Sequence, residues 1–376
     1  MDLTVLNTSF ETVYILDSYE SLLWVDKFND VGTFEIYTPV TPEILEYLKP
    51  NYYLINDASE HTMIVEDISI ESDVENGNKI KIVGRSLESI MDRRIIWDET
   101  SFKEEHNLQK AIRKLVERNI SNLAKLADRK IPNFILDSES QDTSITALKL
   151  KEGAQYDGDV LLEVVRSLCQ EYNIGFKVIL NDSNQFVFSL YNGKNRSYSQ
   201  NVLPYVVYSP EFDNVISSNY REENSKTKNV ALVVGGDGNT SATDTKKPTK
   251  RTVGNATGLE RRELHVNASD ISKTVKQEDD AGSETTISDA QFKKLLDKRG
   301  KKELAEINRD SKTFDAQCDT TKMYVYGTDF FMGDIVQMAN EYGMETECRI
   351  TEFTWSCSTT GLETYPTFTE VEEEVE

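Results

Sequence analysis

The sequence predicts a mainly β protein with smaller α+β insertions, and three observations support this prediction. Short apolar runs, many alternating with polar residues, fill the first part of the chain and return in its last part. Two of these runs are joined by Asn76-Gly77, the strongest short-range signal for a β-hairpin. Patterns with helical spacing lie between the two β-rich parts. The boundaries indicated are a β unit at 1–100, an α+β insertion at 101–205 and a second β unit at 206–376, with a helical insertion at about 272–310 and an acidic, frayed tail at 369–376.

The first unit is predicted to contain short strands and one small helix. Thr41 is in N-cap position for this helix, Pro42 takes its first position, and Pro50 marks its end. Short strands at this close spacing are typical of a β-barrel or a β-sandwich. The predicted strands, separated by Asn, Asp and Ser turns, are 3–6, 13–16, 22–25, 32–37 and 52–55.

The stretch 62–97 is the centre of this unit. One strand is predicted before and one after the turn Glu75-Asn76-Gly77-Asn78. The period changes after Gly84, where helical spacing predicts a short helix that Ser86 caps, and the apolar run 95–97 predicts a further strand. With a side-chain period of two, the first strand presents Ile64, Ile68 and Ile70 on one face, and the return strand presents Ile80 and Ile82 on one face.

Two amphipathic helices and a hairpin are predicted in the insertion. Asn107 is placed to cap the first helix, whose apolar face is predicted to extend as far as Leu123. The second helix covers 161–172 and is closed by Asn173 and Gly175. The hairpin is predicted to pair 176–180 with 186–190.

The last unit is predicted to return to strands, interrupted by a polar loop and a helix. The loop 235–258 is long enough to be either functional or without fixed structure. Ser288-Asp289-Ala290-Gln291 has the form of a capping box, and the helix after it is predicted to bury a stripe of Phe292, Leu295, Leu296 and Ile307. The predicted strands are 230–234, 261–271, 314–318, 335–338 and 349–355.

The charge balance argues against several classes of partner. The chain has 65 acidic residues against 42 Lys and Arg, a formal charge of −23 and a pI near 4.7. A nucleic-acid-binding surface or an anionic membrane would require clustered basic residues. No apolar run approaches the roughly 20 residues that span a bilayer, and the N-terminus lacks the basic and apolar segments of a signal peptide. We therefore expect a protein made in the cytoplasm, with no membrane-spanning segment.

No catalytic, cofactor-binding or metal-binding residue is predicted. The four cysteines share no CxxC spacing and the three histidines are isolated. Cys169 is expected to be a buried thiol, whereas Cys348 and Cys357 could face one another across a hairpin. The sequence Gly235–Gly238 lacks the Gly-Lys-Ser/Thr of a phosphate-binding loop, and the basic run Lys246–Arg251 is expected to be a solvated loop.

An acid/base site made of two carboxylates is the main enzymatic alternative. Such a site would make the chain a cell-wall hydrolase that uses acidic residues. Adjacent carboxylates face apart in strands and diverge on helices, so the pairs in this sequence do not indicate such a site. The pairs are Asp98-Glu99, Glu104-Glu105 and Glu222-Glu223. A third alternative is a module that binds the host.

Arg85, Arg93 and Arg94 form a basic cluster at the end of the predicted hairpin. In a chain this acidic we expect them to find carboxylate partners. These partners could lie within the chain, at a junction between units, or across a subunit interface.

Four phrases, in order along the chain, resemble the tail-tip or baseplate hub family of siphophages, the N-terminal hub of tail-associated lysins. They are MDLTVLNTSFETVYILDSYESLLWVDKFNDVGTFEIYTPV at the start, VGRSLESIMDRRIIW at 83–97, GLERRELHVNASDIS at 258–272 and YGTDFFMGDIVQMANEYGMETECRITE at 326–352. The resemblance implies a structural, non-enzymatic protein without cofactors. It also implies that the C-terminal enzymatic extension of many relatives is missing.

The same resemblance implies an architecture and a set of partners. Hub proteins of this family form homotrimers in which each chain supplies two tail-tube-like β-barrel domains, so that six barrels face a hexameric distal tail ring. The trimer closes the tail tube at the virion tail tip, after assembly in the host cytoplasm. Implied partners are the distal tail ring, the C-terminus of the tape measure protein, and a fibre, spike or receptor-binding protein. DNA passes through the channel without being bound specifically.

Overall fold

The computed structural model is mainly β, as the sequence predicts. It describes residues 1–73, 77–151, 153–236, 248–269, 271, 273–276, 284–308, 312–318, 323–359 and 361–371. In this described part, no helix has both the length and the apolar character needed to cross a membrane.

The first part of the chain forms seven strands, and the five predicted before the hairpin are confirmed. The α1 helix is capped as predicted, since the Thr41 hydroxyl accepts a hydrogen bond from the amide of Ile44 at 3.2 Å. The elements are β1 (Leu3–Leu6), β2 (Thr12–Leu16), β3 (Ser21–Lys27), β4 (Thr33–Pro39), α1 (Pro42–Tyr47), β5 (Tyr53–Asn56), β6 (Thr62–Asp73), β7 (Gly77–Ser86) and a 3₁₀ helix (Leu87–Arg93).

The predicted hairpin is confirmed as an antiparallel pair of β6 and β7, with Ile80 and Ile82 on one face, but the predicted face of Ile64 is wrong. A β-bulge between Val65 and Asp67 shifts the register, so that Val65 and not Ile64 shares a face with Ile68. Ile64 packs on the other side of the sheet, and Ile70, near the hairpin end, is 52% exposed. Pairing extends to Asp73 opposite Gly77. Of the predicted turn, Glu75 and Asn76 lie outside the described residues.

Gly77 has a φ of +77°, which side chains branched at Cβ strongly resist. We therefore expect Gly77→Val to lower the free energy of unfolding by about 1–2 kcal/mol. Urea-induced unfolding measures this difference. An unchanged midpoint would mean that the turn does not need this conformation.

The chain after β7 departs from the predicted pattern. The predicted helix is of the 3₁₀ type, and Ser86 does not cap it, because its hydroxyl instead accepts a hydrogen bond from the amide of Gly32 at 2.8 Å. The run 95–97 is not a strand, since only Ile95 forms an isolated bridge, to Val160. Ser86 thus holds the end of β7 against the residue before β4, and Ile95 pairs with the residue before helix 161–171 of the insertion.

The insertion contains the two predicted helices and the predicted hairpin. The Asn107 side chain accepts a hydrogen bond from the amide of Lys110 at 3.0 Å, which confirms the cap. The helix ends at Asn119, so the prediction that Leu123 continues its apolar face is wrong, and Leu123 is 65% exposed. The elements are β8 (Thr100–Phe102), α2 (Leu108–Asn119), a 3₁₀ turn (Ala127–Arg129), β9 (Phe134–Leu136), α3 (Thr143–Thr146), β10 (Ala154–Tyr156), α4 (Leu161–Glu171), β11 (Gly175–Leu180) and β12 (Phe186–Tyr191).

The last part of the chain contains the predicted strands and helix, with several strands that were not predicted. Ser288 and Gln291 form the predicted capping box, with reciprocal bonds of 2.9 and 3.3 Å between each amide and the other side chain. The predicted burial of Ile307 is wrong, since it is 39% exposed. The elements are β13 (Val207–Tyr208), β14 (Val215–Glu222), β15 (Val230–Gly235), β16 (Thr249–Val253), β17 (Glu263–Ala268), β18 (Thr274–Lys276), β19 (Glu284–Thr286), α5 (Asp289–Asn308), β20 (Lys312–Cys318), β21 (Ile335–Ala339), β22 (Glu345–Ser358) and β23 (Gly361–Glu370), with 3₁₀ turns at Pro210–Phe212 and Gly258–Glu260.

The two ends of the chain share one eleven-stranded sheet. Its order is β13-β21-β22-β3-β4-β7-β6-β5-β1-β2, and β23 also pairs with β22. The β22–β3 pair, with Trp355 opposite Trp24, joins the last part of the chain to the first. Strand β23 runs to Glu370, so the tail predicted to fray from residue 369 begins inside this sheet, while 372–376 lie outside the described residues.

The described residues form three hydrophobic cores that support this arrangement. The largest joins residues from both ends of the chain, among them Trp24, Tyr208 and Phe353. The second packs the 3₁₀ helix of the first unit against α2, α4 and β11 of the insertion. The third lies between α5 and the sheet of β15, β16 and β17. The first unit therefore contacts both the insertion and the end of the chain.

Cys348 and Cys357 do not face one another across a hairpin, the arrangement that the sequence left open. Both residues lie on the single described strand β22, nine positions apart. At about 3.3 Å per residue they are roughly 30 Å apart, far beyond the span of a disulfide. Cys169 is buried on α4 as predicted, and burial raises the pKa of its thiol.

Candidate functional site

The acidic pairs seen in the sequence are exposed or half-buried, and at least one carboxylate of each pair has a basic partner. Asp98 contacts Lys125 at 2.7 Å and Glu105 contacts Lys149 at 3.2 Å. Glu104 contacts Lys298, and Glu223 contacts Arg221. Carboxylates engaged in this way are ordinary surface ion pairs.

A buried ionisable cluster that the sequence did not indicate joins the first unit to the insertion. Asp26 is on β3, His61 immediately precedes β6, and Glu88 is on the 3₁₀ helix; all three are buried. His61 Nδ1 lies 3.1 Å from Glu88 Oε1, and the amide of Val178 on β11 donates to the same oxygen at 2.8 Å. Glu88 is thus an acceptor for groups on two different units.

Asp26 completes the cluster on the side of the large core. The indole of Trp24 donates to its Oδ1 at 3.0 Å, and the hydroxyl of Ser59 donates to its Oδ2 at 2.6 Å. The amide of His61 donates to the same Ser59 hydroxyl at 3.0 Å. This chain of hydrogen bonds fixes the segment before β6 against β3.

The protonation of the cluster follows from burial and charge. Burial alone lowers the pKa of His61, but the negative charges of Asp26 and Glu88 outweigh it and raise this pKa to about 9. Burial raises the pKa of Glu88, but the charge and hydrogen bond of His61 outweigh burial and hold it below its ordinary value. For Asp26 burial prevails and raises the pKa. At neutral pH the cluster therefore contains a buried His61–Glu88 ion pair.

The cluster has the geometry of a structural clamp. A glycosidase needs two carboxylates that flank a bound sugar, whereas Asp26 and Glu88 are buried among packed elements. Across the residues described, no group of three His, Cys, Asp or Glu side chains is placed to hold a metal ion.

The three arginines singled out in the sequence occupy different environments. Arg85 forms the expected ion pairs within its own unit, with two bonds to Glu66 at 2.8 and 2.9 Å and one to Asp92 at 3.1 Å. Arg94 instead donates to the carbonyl oxygens of Arg93 and Arg129, at 3.0 and 3.3 Å. Within the described part of the chain, Arg93 and Arg94 have no carboxylate at ion-pair distance.

The prediction that the basic run is a solvated loop is wrong for residues 249–251, which lie on strand β16 and pair with β15. Gly235 ends β15, and Asp237 and Gly238 lie outside the described residues, as do Lys246 and Lys247. Arg251, at the end of the basic run, forms two bonds with Asp297 at 2.7 and 2.6 Å.

Comparison with solved structures shows that this fold occurs in phage tail proteins. The 43 kDa tail protein of prophage MuSo2 from Shewanella oneidensis has a TM-score of 0.60 at 12% identity, covering 98% of both chains. A tail protein from Neisseria meningitidis MC58 has a TM-score of 0.58 at 12% identity, covering 98% of this chain and 96% of that one. Prophage tail protein gp18 from Listeria monocytogenes EGD-e has a TM-score of 0.52 at 12% identity, with coverages of 100% and 95%.

The sequence comparisons give the family. No curated protein sequence matches the chain. The family model described as Siphovirus ReqiPepy6 Gp37-like protein matches residues 2–368, nearly the whole sequence. This match confirms the resemblance to siphophage tail proteins, and the chain belongs to the siphovirus ReqiPepy6 Gp37-like family.

Proposed function

We propose that the chain is a structural hub protein of the siphophage tail tip. Three copies would close the distal end of the tail tube and link the hexameric distal tail ring to the tip fibre or spike. The observation that carries this proposal is the match of nearly the whole chain to a siphovirus family, together with a fold that phage tail proteins share over their full length. In this proposal the β units at 1–100 and 206–376 are the two tube-like domains of each chain.

The oligomeric state tests the proposal. Native mass spectrometry of the purified chain should give a mass of three copies. Electron microscopy of virions should place that ring at the tail tip, in contact with the distal tail ring and the end of the tape measure protein. A chain that stays monomeric at high concentration and forms no ring in the tail would contradict the proposal.

A test of activity on cell walls distinguishes the hydrolase alternative from a structural role. At least one carboxylate of each described surface pair is engaged by Lys or Arg, and Asp26 and Glu88 are buried among packed elements. We therefore expect no clearing in a zymogram that contains host peptidoglycan. A clearing zone at the mass of this chain would contradict a purely structural role.

The proposed trimer also allows a prediction of the charge that lines its channel. A wall lined with Lys and Arg would hold DNA phosphates through counterion release, whereas an acidic wall would let the DNA slide. The surplus of 65 acidic over 42 basic residues allows an acidic lining. We expect residues that face the threefold axis to be acidic or neutral, and Arg85, Arg93 and Arg94 to lie at subunit or domain contacts. A trimer structure with a positively charged channel would contradict this prediction.

A further inference from the structure

An exposed groove surrounds Trp97 on the surface of the insertion. Two adjoining hollows of about 420 and 410 Å³ share the side chains of Trp97, Leu126 and Arg129. Trp97 is 57% exposed, and the Arg129 guanidinium lies over its ring, 5.2 Å from the ring centroid. We call this surface the Trp97 groove and define it by Arg93, Arg94, Trp97, Arg118, Leu126 and Arg129.

Among the described residues, the arginines of the Trp97 groove form no ion pair with a carboxylate. Arg129 donates to the carbonyl of Ile95 and to the Asn119 side chain, and among the described residues Arg118 forms no ion pair. Burial and then the nearby charge of Arg94 lower the pKa of Arg129. Four carboxylates, Asp92, Asp98, Glu99 and Asp128, also line the hollows, but Asp92 and Asp98 are engaged by Arg85 and Lys125. The lining holds five basic side chains against these four carboxylates, and Asp128 and Asp98 offset part of the positive environment of Arg129. The groove therefore combines exposed aromatic surface with a small excess of positive charge, which suits an acidic and apolar protein surface.

Helix α1 of the first unit has the complementary character. Ile44 is buried and anchors the helix, while Leu45 is 46% exposed. Glu43 and Glu46 are exposed one turn apart, and neither forms an ion pair with a described Lys or Arg. The charge of Glu46 is the first cause that raises the pKa of neighbouring Tyr47. The helix thus presents a large apolar side chain beside two carboxylates.

We propose that the Trp97 groove of one copy binds α1 of a second copy. Leu45 would pack on Trp97 and Leu126, and Glu43 and Glu46 would meet the arginines. Groove and helix are different surfaces, so this contact is head-to-tail, the type that a closed ring of three copies requires. The inference rests on the proposed trimer and names the surfaces that form it.

Charge reversal with rescue tests this contact. The groove variant is Arg93→Glu with Arg118→Glu, the helix variant is Glu43→Lys with Glu46→Lys, and the combined variant carries all four changes. Lys110→Glu, on the same helix as Arg118 but outside the groove, is the matched control. Each is followed by sedimentation over a concentration series, with circular dichroism to verify folding. If a charge variant fails to fold, Trp97→Ser and Leu45→Ser, which shorten exposed side chains, replace it.

The expected result is a trimer for the unmodified chain and the control, at least tenfold weaker association for the groove and helix variants, and recovery in the combined variant. If both charge variants remain trimeric, the Trp97 groove is not the interface, although the proposed trimer stands. If the combined variant does not recover, α1 is not what the groove binds. If the unmodified chain is monomeric throughout, the trimer and this contact are both overturned.

Discussion

Glu88→Ala should lower the free energy of unfolding by about 3–5 kcal/mol, because it leaves a buried charge without its partner. Glu88 accepts hydrogen bonds from His61 and from the amide of Val178, so the variant removes the acceptor for two buried donors. Chemical denaturation measures the change. Glu20→Ala is the matched control, since its partner Lys79 is at the surface and the loss there should be within about 1 kcal/mol. Equal losses in the two variants would contradict the clamp.

The same cluster predicts a pH dependence. The folded pKa of His61 is about 9, above the ordinary 6.5, so the stability it contributes is fully present below pH 6.5 and is lost as pH rises through 9. Glu88 has the opposite sign: its pKa is held below 4.5, so its contribution is present above that pH and is lost on acidification. His61→Gln should remove the alkaline loss. If the stability of His61→Gln falls as steeply between pH 6.5 and 9 as that of the unmodified chain, His61 is not the group that causes the alkaline loss.

Local signals in the sequence predicted much of the fold. The caps at Thr41 and Asn107 and the capping box at Ser288 were predicted correctly because each depends on residues three positions apart. The strand pattern was equally reliable where burial alternates regularly, as in β4 and β12. Each of these features depends on only a few consecutive residues.

Features that depend on distant residues were not predicted. The alternation of apolar and polar residues in the strand does not indicate the bulge at Val65. Because of this bulge, Ile64 lies on the other face of the sheet. Asp26, His61 and Glu88 come from three separate segments, and each is an ordinary polar residue in its local context. The pairing of β22 with β3 joins opposite ends of the chain, and no local sequence pattern predicts it. The candidate site lies where such distant segments meet, so composition and spacing could not reveal it.

Gly84→Val should be nearly as damaging as the loss of Glu88, with an expected cost of about 3 kcal/mol. Gly84 lies in a central strand, opposite Phe34 on one side and Val65 on the other. A Cβ at this position would lie 1.8 Å from the carbonyl oxygen of Ile64 and 2.7 Å from Cε1 of Phe34. The carbonyl belongs to the backbone next to the β-bulge and cannot rotate away as a side chain could. Strands β6 and β7 would therefore have to separate where they support both the large core and the core of the insertion.

Gly77→Val, at the other end of the same strand, is the matched control for Gly84→Val. A Cβ there meets no described atom within 4 Å, so only the strain of its positive φ remains and the loss should be smaller. Thermal and urea unfolding of both variants give the comparison. Because β7 pairs with both β4 and β6, we expect the Gly84 variant to lose the cooperative transition of the whole sheet rather than fray at one end. Equal midpoints for the two variants would show that the sheet can accommodate a side chain at Gly84, and that the close approach of Ile64 is not what requires glycine there.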